Sequence, residues 1–338
     1  MIIKDSAYEE KWGFLDPQVL ERTKKKSCIL DEEVNKKITL KDIHLKTLRN
    51  GMGSFSRDLS KQNVVVTDFL IPCANRLVPA RQYEMSVKDK YNMNKCLVYL
   101  HGGGFIGGSL DTVENQCKLI AERSRCVVIS IAYRLAPENP YPGALHDVIE
   151  SLEWIINNKS ILNFNDSQLY VAGDSAGGNL AVICGLKDKK HIIRRIISIY
   201  GALDMTEIGK TLYKWNYSQY TIAKEHSIYI HTRLNKFALL TKIINVLYNN
   251  FEVVENPLIS PVYAQDFKNF PDITLVEAEF DYFLQSNIFF YKKLKNFGIN
   301  VDTIMYKGLD HGFFDRLGTL KQAEDLVNVI ADILINEK

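Results

Sequence analysis

The stretch QLYVAGDSAGGN, Gln168 to Asn179, runs from an apolar, strand-like segment straight into a glycine-rich turn. Gln168 to Ala172 has the character of a buried strand, and Ala176 to Leu186 beyond the turn carries apolar residues at helical spacing. Between them Gly173-Asp174-Ser175-Ala176-Gly177 fits G-x-S-x-G in the strand-to-helix context that the motif requires. So tight a turn forces Ser175 into a strained conformation and exposes its Oγ at the edge of a sheet. The flanking glycines let neighbouring segments approach without Cβ clashes, and the N–H of Ala176 opens a helix toward the same space. A Gly-Ser loop can match this loose pattern by accident, so the reading needs support elsewhere.

Support comes from YLHGGGFIGGS, Tyr99 to Ser109, with five glycines in eleven residues directly after the apolar run Cys96 to Leu100. Glycine in this number bares backbone N–H groups toward an anion. Phosphate fits poorly, because Phe105 stands where a P-loop has its Lys-Ser or Lys-Thr pair and Gly102-Gly103-Gly104 does not match G-x-G-x-x-G. The remaining anion is a transient oxyanion, which requires a nucleophile such as Ser175.

Around these two motifs strands and helices alternate from about residue 62 onward, the signature of a mostly parallel sheet covered on both faces. Eight strands are expected, at Val64 to Ile71, Gln82 to Met85, Cys96 to Leu100, Cys126 to Ala132, Gln168 to Ala172, Ile193 to Tyr200, Ile273 to Glu277 and Val301 to Tyr306. Helical patterns at Thr112 to Ser124, Pro142 to Asn158, Ala176 to Leu186, Gln285 to Phe297 and Gly318 to Asn336 fill most of the gaps. Two regions break the alternation. Residues 1 to about 48 read as helical and end at the joint Gly51-Met52-Gly53-Ser54, and a segment rich in Tyr, Lys and Ile without strand pattern lies between Ala202 and Glu255.

Bulk properties narrow the function classes. In 338 residues, 46% hydrophobic and 24% charged with a formal net charge of +2, there is no broad basic field, so nucleic acid is not an expected partner. The run Lys24-Lys25-Lys26 reads as a solvated helix face. The charged amino terminus does not read as a secretory signal, and no run has the length of a membrane span. Six cysteines at 28, 73, 96, 117, 126 and 184, with no Cys-x-x-Cys pair, suggest reduced thiols and a cytoplasmic setting. The oligomeric state is left open, a homo-oligomer being compatible with all of this.

A serine hydroxyl needs a base and the base an orienting acid, in the chain order Ser, Asp or Glu, His. Four histidines follow Ser175. His191 sits in a polar loop beside Lys189 and Lys190, and His226 and His231 lie in the inserted segment. His311, in GLDHGFF, leaves the carboxyl edge of the sheet, where ligands bind in open α/β folds. For the acid, LVEAEFDYFL offers Glu277, Glu279 and Asp281, of which Asp281 is best placed beyond a strand end and Glu279 is next. Asp310 adjoins His311 but is expected to face solvent.

His101-Gly102-Gly103-Gly104-Phe105, YRLAPE from Tyr133 to Glu138, YPGALHD from Tyr141 to Asp147, GDSAGGN from Gly173 to Asn179 and NPLISP from Asn256 to Pro261 together resemble the hormone-sensitive-lipase branch of the α/β-hydrolases. The likeness runs from about residue 80 to the carboxyl terminus. It implies an α/β-hydrolase core at 59–201 and 256–338 and a helical cap formed by residues 1–58 and 202–255. It also implies that Ser175, Asp281 and His311 are catalytic and that Gly103, Gly104 and Ala176 donate to the oxyanion. His101 then shapes the loop and is not a second base. DYFLQS, Asp281 to Ser286, departs from the family's more usual Pro-Leu-Arg-Asp-like continuation, which alters the surroundings of Asp281.

The activity so implied is that of a serine carboxylesterase acting on small-molecule esters with short, acetyl-like acyl groups, with no metal or organic cofactor. An amide or formamide hydrolase on the same triad is an alternative. So is a ligand-binding receptor on a hydrolase scaffold, although plant receptors of this kind lack the histidine that this chain keeps as His311. Phe105 and the cluster Tyr213, Trp215, Tyr217 and Tyr220 are candidate substrate contacts, with packing the competing role for each.

Overall fold

The structure is a computed structural model that describes residues 1–5, 11–25, 43–53, 56–86, 95–165 and 168–337. Residues 6–10 and 26–42 of the expected amino-terminal helical segment lie outside the described residues, and with them Lys26 and Cys28; so does Ser54.

Nine strands form one sheet in the order β1-β9-β8-β7-β6-β4-β5-β3-β2. They are β1 Ile2–Lys4, β2 Val64–Cys73, β3 Arg76–Met85, β4 Cys96–Leu100, β5 Val127–Ile131, β6 Leu169–Asp174, β7 Ile193–Ile199, β8 Asp272–Phe280 and β9 Val301–Asp310. Antiparallel pairing is confined to β3, against β2 on one side and β5 on the other; every other pair is parallel. Every residue of β4, β5 and β6 is buried, as expected where helices cover both faces of a parallel sheet.

Eight strands are expected and nine are found. The extra one, β1, lies where the sequence reads as helical, and its Ile2, Ile3 and Lys4 pair with Ile304, Met305 and Tyr306. Three residues are too few to show a period, so this strand exists only through its tertiary partner. Strand β3 also begins six residues before its expected start. Pro79 interrupts the strand pattern there, but it sits opposite Leu70 of the edge strand β2 and its carbonyl accepts from Ala132 N–H.

The described helices are α1 Pro17–Lys24, α2 Leu45–Asn50, α3 Glu114–Ser124, α4 Gly143–Asn157, α5 Ala176–Lys187, α6 Ser227–Tyr248, α7 Leu284–Asn296 and α8 Lys321–Asn336. Helix α6 lies in the 202–255 segment, and α1 from the amino-terminal region packs against both α6 and β9. Among the described residues no helix is long and apolar enough to cross a membrane.

Candidate active site

At the end of β6 the chain turns through Ser175, whose φ of 54° and ψ of −113° lie outside the regions open to most side chains. Such a conformation costs on the order of 1–3 kcal/mol and persists where neighbours over-determine it. Ser175 N–H donates to Ile199 O at 2.9 Å, and its carbonyl accepts from Asn179 N–H at 3.0 Å and Ala202 N–H at 3.1 Å. A Cβ on Gly177 would collide with the carbonyl of Leu100, so β4 can lie this close to the turn only over glycine. Asn179 fixes the other side of the helix start, donating to Ala202 O at 2.6 Å and Ile259 O at 2.8 Å.

Oγ of Ser175 lies 2.7 Å from His311 Nε2, and His311 Nδ1 lies 2.6 Å from Asp281 Oδ2. The three side chains come from the carboxyl ends of β6, β8 and β9. Asp281 is fully buried, and its Oδ1 accepts from Phe283 N–H at 2.8 Å. The imidazole is packed among the rings of Phe237, Tyr200 and Phe283, at centroid distances of 4.2, 4.8 and 5.5 Å. These walls limit the water that can reach it.

The other candidate acids have different partners. Glu279 accepts from Gly13 N–H at 2.8 Å and Gly308 N–H at 2.7 Å, tying the amino-terminal segment to β9. Glu277 accepts from Asn287 at 2.9 Å. Asp310, expected in solvent, is buried. It pairs with Arg233 and Arg316, which hold its carboxyl well below the usual range despite burial.

The loop after β4 carries positive φ at Gly103, 115°, where a side chain would also strike the carbonyl of Gly107. Gly103 O accepts from Ile106 N–H at 3.1 Å and Gly107 N–H at 2.9 Å, which closes the loop. Asp174 joins this loop to the turn at Ser175, its Oδ1 accepting from Gly102 N–H and from the Tyr99 hydroxyl, each at 3.0 Å. Burial, reinforced by the Asp315 carboxylate, pushes the Asp174 carboxyl up to about 8. His101 lies beneath the loop, with Nδ1 2.8 Å from Gly102 O and its ring stacked on Tyr133 at 4.2 Å. Burial pushes its imidazole down to about 4, so it stays neutral.

These groups open onto a cavity of about 560 Å³ lined by Ser175, His311, Gly103, Gly104 and Phe105. Ala176 follows Ser175 as the first residue of α5, so its N–H is among those a helix leaves unbonded within itself. Phe105 both lines the cavity and packs, stacked on Tyr248 at 4.0 Å. Tyr213, Trp215, Tyr217 and Tyr220 are not among the residues that line this cavity. Trp215 Nε1 donates to Tyr220 Oη and Tyr282 O, each at 3.1 Å, and Tyr220 donates to Asp281 O at 2.8 Å, so these two rings brace the segment that carries Asp281. Tyr213 lies against Phe289, and Tyr217 stacks on His231 and bonds to Asn235.

The apolar wall of this cavity comes instead from Leu48 of α2, Met52 just beyond its end, and Phe237, Leu240 and Ile244 on α6, none of them a substrate contact expected from the sequence. The three on α6 recur at intervals of three and four, the available signal. Among the described residues no group of His, Cys, Asp or Glu is arranged to hold a metal ion.

Residues 97–315 match the family described as alpha/beta hydrolase fold. An arylesterase of Saccharolobus solfataricus is 25% identical over 262 residues, 75% of this chain and 80% of that protein. An ethyl acetate hydrolase of Pseudomonas putida is 23% identical over 265 residues, covering 76% and 78% of the two chains. Among solved structures, a hyperthermophilic esterase from Pyrobaculum calidifontis superposes with a TM-score of 0.73 at 25% identity over 95% of this chain and 98% of its own. With nearly two thirds of its length inside the family match, and with the strand-turn-helix carrying Ser175 within that match, the chain belongs to the alpha/beta-hydrolase fold family, in its hormone-sensitive-lipase-like branch, and is a serine-type hydrolase.

Proposed function

We propose that the chain hydrolyses carboxylic esters with short acyl groups through an acyl-enzyme on Ser175. The observation that carries this reading is the continuous pair of hydrogen bonds from Ser175 Oγ through the His311 ring to Asp281. Ser175 Oγ attacks the ester carbonyl while His311 Nε2 takes its proton, and Asp281 holds the imidazole in the required tautomer and supports the imidazolium. The oxyanion that forms accepts from the N–H groups of Gly103, Gly104 and Ala176, where each donor contributes on the order of 3 kcal/mol in such holes. Collapse breaks the ester C–O bond, and the departing alcohol takes the proton from His311. Water then repeats the sequence on the acyl-enzyme and frees the acid.

The residues named supply nucleophile, base and anion stabilisation, so no cofactor enters the scheme. Short acyl groups are supported by the Pseudomonas putida relative, an ethyl acetate hydrolase, and the cavity of about 560 Å³ has room for such an ester beside Ser175. Replacing Ser175 by Ala is expected to lower turnover of 4-nitrophenyl acetate and butyrate by on the order of 10⁵-fold or more. An organophosphate should label wild-type protein at one equivalent on Ser175. Near-normal turnover in the Ser175→Ala protein would falsify the assignment.

A further inference from the structure

One part of the Ser175 cavity differs from its apolar wall. Arg22 of α1 and Arg233 and Lys236 of α6 line it. Arg233 stands one helical turn, about 6 Å of rise, before Phe237, whose ring lies on His311. Only 4% of Arg233 is exposed. Its Nη2 pairs with Asp310, and Nη2 of Arg316 pairs with the other oxygen of the same carboxylate. One acid thus serves two buried guanidiniums, while the Nε atoms of both arginines are buried without a hydrogen-bond partner. Asp315 lies in the same cluster, and burial raises its carboxyl toward the neutral form. Burial, and after it the charge of Arg316, push the Arg22 guanidinium down from its ordinary value.

A strut between cap and core would require only the Nη2 contacts. Three cationic side chains, Arg22, Arg233 and Lys236, against the two carboxyls of Asp174 and Asp315, in the wall of a cavity that is otherwise largely apolar, suit that end of the cavity to an anion, and a guanidinium can meet one with two parallel hydrogen bonds. Carboxylate has that geometry and can be carried by an ester.

We propose that Arg233 is a specificity-determining residue that receives a carboxylate on the substrate, so that the preferred esters are those whose acyl or alcohol part ends in a carboxylate. This rests on the esterase reading above. The rest of such a substrate lies along the apolar face of α6, with the ester carbonyl at Ser175 and the charged end at Arg233.

Two pairs of nearly isosteric esters test the idea and separate the two attachments. Monoethyl succinate against ethyl 4-methylpentanoate reads the acyl side, and 3-acetoxypropanoate against isopentyl acetate reads the alcohol side, with release of acid followed by pH-stat. In wild-type protein the charged member of at least one pair is expected to have a kcat/KM about tenfold or more above its partner, the scale of a charge-assisted hydrogen bond. Arg233→Met is expected to bring that ratio to one or below. Should Arg233→Met fail to fold, Arg233→Lys carries the test, and a ratio lowered by loss of the two-pronged contact supports the assignment.

A wild-type ratio of one or less in both pairs overturns the proposal, and so does a high ratio that neither variant changes. If the neutral esters are turned over in a Ser175-dependent manner while the ratios stay at one or below, only the anion site fails. If neither member of either pair is hydrolysed, the esterase reading fails with it.

Discussion

The two sides of the Ser175 cavity are held by different forces. On the sheet side, Ser175, Asp281 and His311 sit at strand ends and are held by backbone and side-chain hydrogen bonds of 2.6 to 3.1 Å. On the other side, Leu48, Met52, Phe237, Leu240 and Ile244 present apolar side chains, whose contact is non-directional and tolerates shape changes of about a methylene far better than a hydrogen-bonded triad tolerates displacement, while Arg49 and Arg233 tie the helices that carry them to the core. A substitution on the sheet side should therefore fail in chemistry while leaving the fold, and one in the cap should change fit or stability while leaving the chemistry.

The largest effect that can break this contrast is expected at Asp281. Asn retains an oxygen for the Phe283 N–H but presents the wrong group to His311 Nδ1, so Asp281→Asn should lower kcat by on the order of 10⁴-fold. Its melting temperature should stay within a few degrees of wild type. Kinetics and calorimetry on the same preparation decide the matter. Turnover within tenfold of normal would show that orientation by Asp281 is dispensable, and the sheet side would lose its special status.

The same contrast explains what could be read from the chain beforehand. Ser175 and the glycine loop are specified by backbone needs that only certain residues meet, such as the close approach of Leu100 to Gly177 and the φ of 115° at Gly103, so local sequence carries them. His311 could be found because β9 ends in a chain reversal at the ligand edge. The burial of Asp310 is not legible in the sequence because its partners, Arg233 and Arg316, arrive from a helix distant in sequence and from beyond the turn, and no local pattern announces a buried ion pair. Strand β1 is hidden for a related reason, since its partners lie some three hundred positions away. In the cap, the aromatic cluster Tyr213 to Tyr220 drew attention by composition, yet the cavity wall is made by residues of α6 whose spacing, and not their density, is the clue.

A smaller effect, at Trp215, sharpens the comparison. Trp215 is 4% exposed and its indole N–H reaches Tyr282 O and Tyr220 Oη beside the Asp281 segment. Truncation to Ala should cost about 3–5 kcal/mol of stability, the usual loss for a buried aromatic. The ranking among acetate, butyrate and hexanoate esters should not change, because this ring braces the site without lining it. Denaturant midpoints and kcat/KM for the three esters check both halves. A reordered ranking would mean that the cluster does reach the substrate and that bracing and lining cannot be separated in this cap.

The smallest effect concerns His101, which belongs to the sheet side by position but does no chemistry in the proposed scheme. Burial disfavours the cation and pushes its imidazole down to about 4 in the folded protein, whereas an unfolded chain holds it at about 6.5. Between those values the unfolded state binds more protons than the native one, so stability rises with pH across the window and is lost as pH falls from about 6.5 toward 4. Asn at this position does not titrate, and its side-chain N–H₂ can take over the donation to Gly102 O that Nδ1 makes at 2.8 Å. Melting temperatures of wild-type and His101→Asn proteins, measured in parallel from pH 7 to 4.5, should converge or cross on acidification, the variant gaining on the order of a few degrees relative to wild type. Groups that titrate alike in both proteins cancel in that difference. Parallel curves would mean that His101 is protonated in the native loop without penalty, and the glycine loop would then be held by charge as well as by backbone.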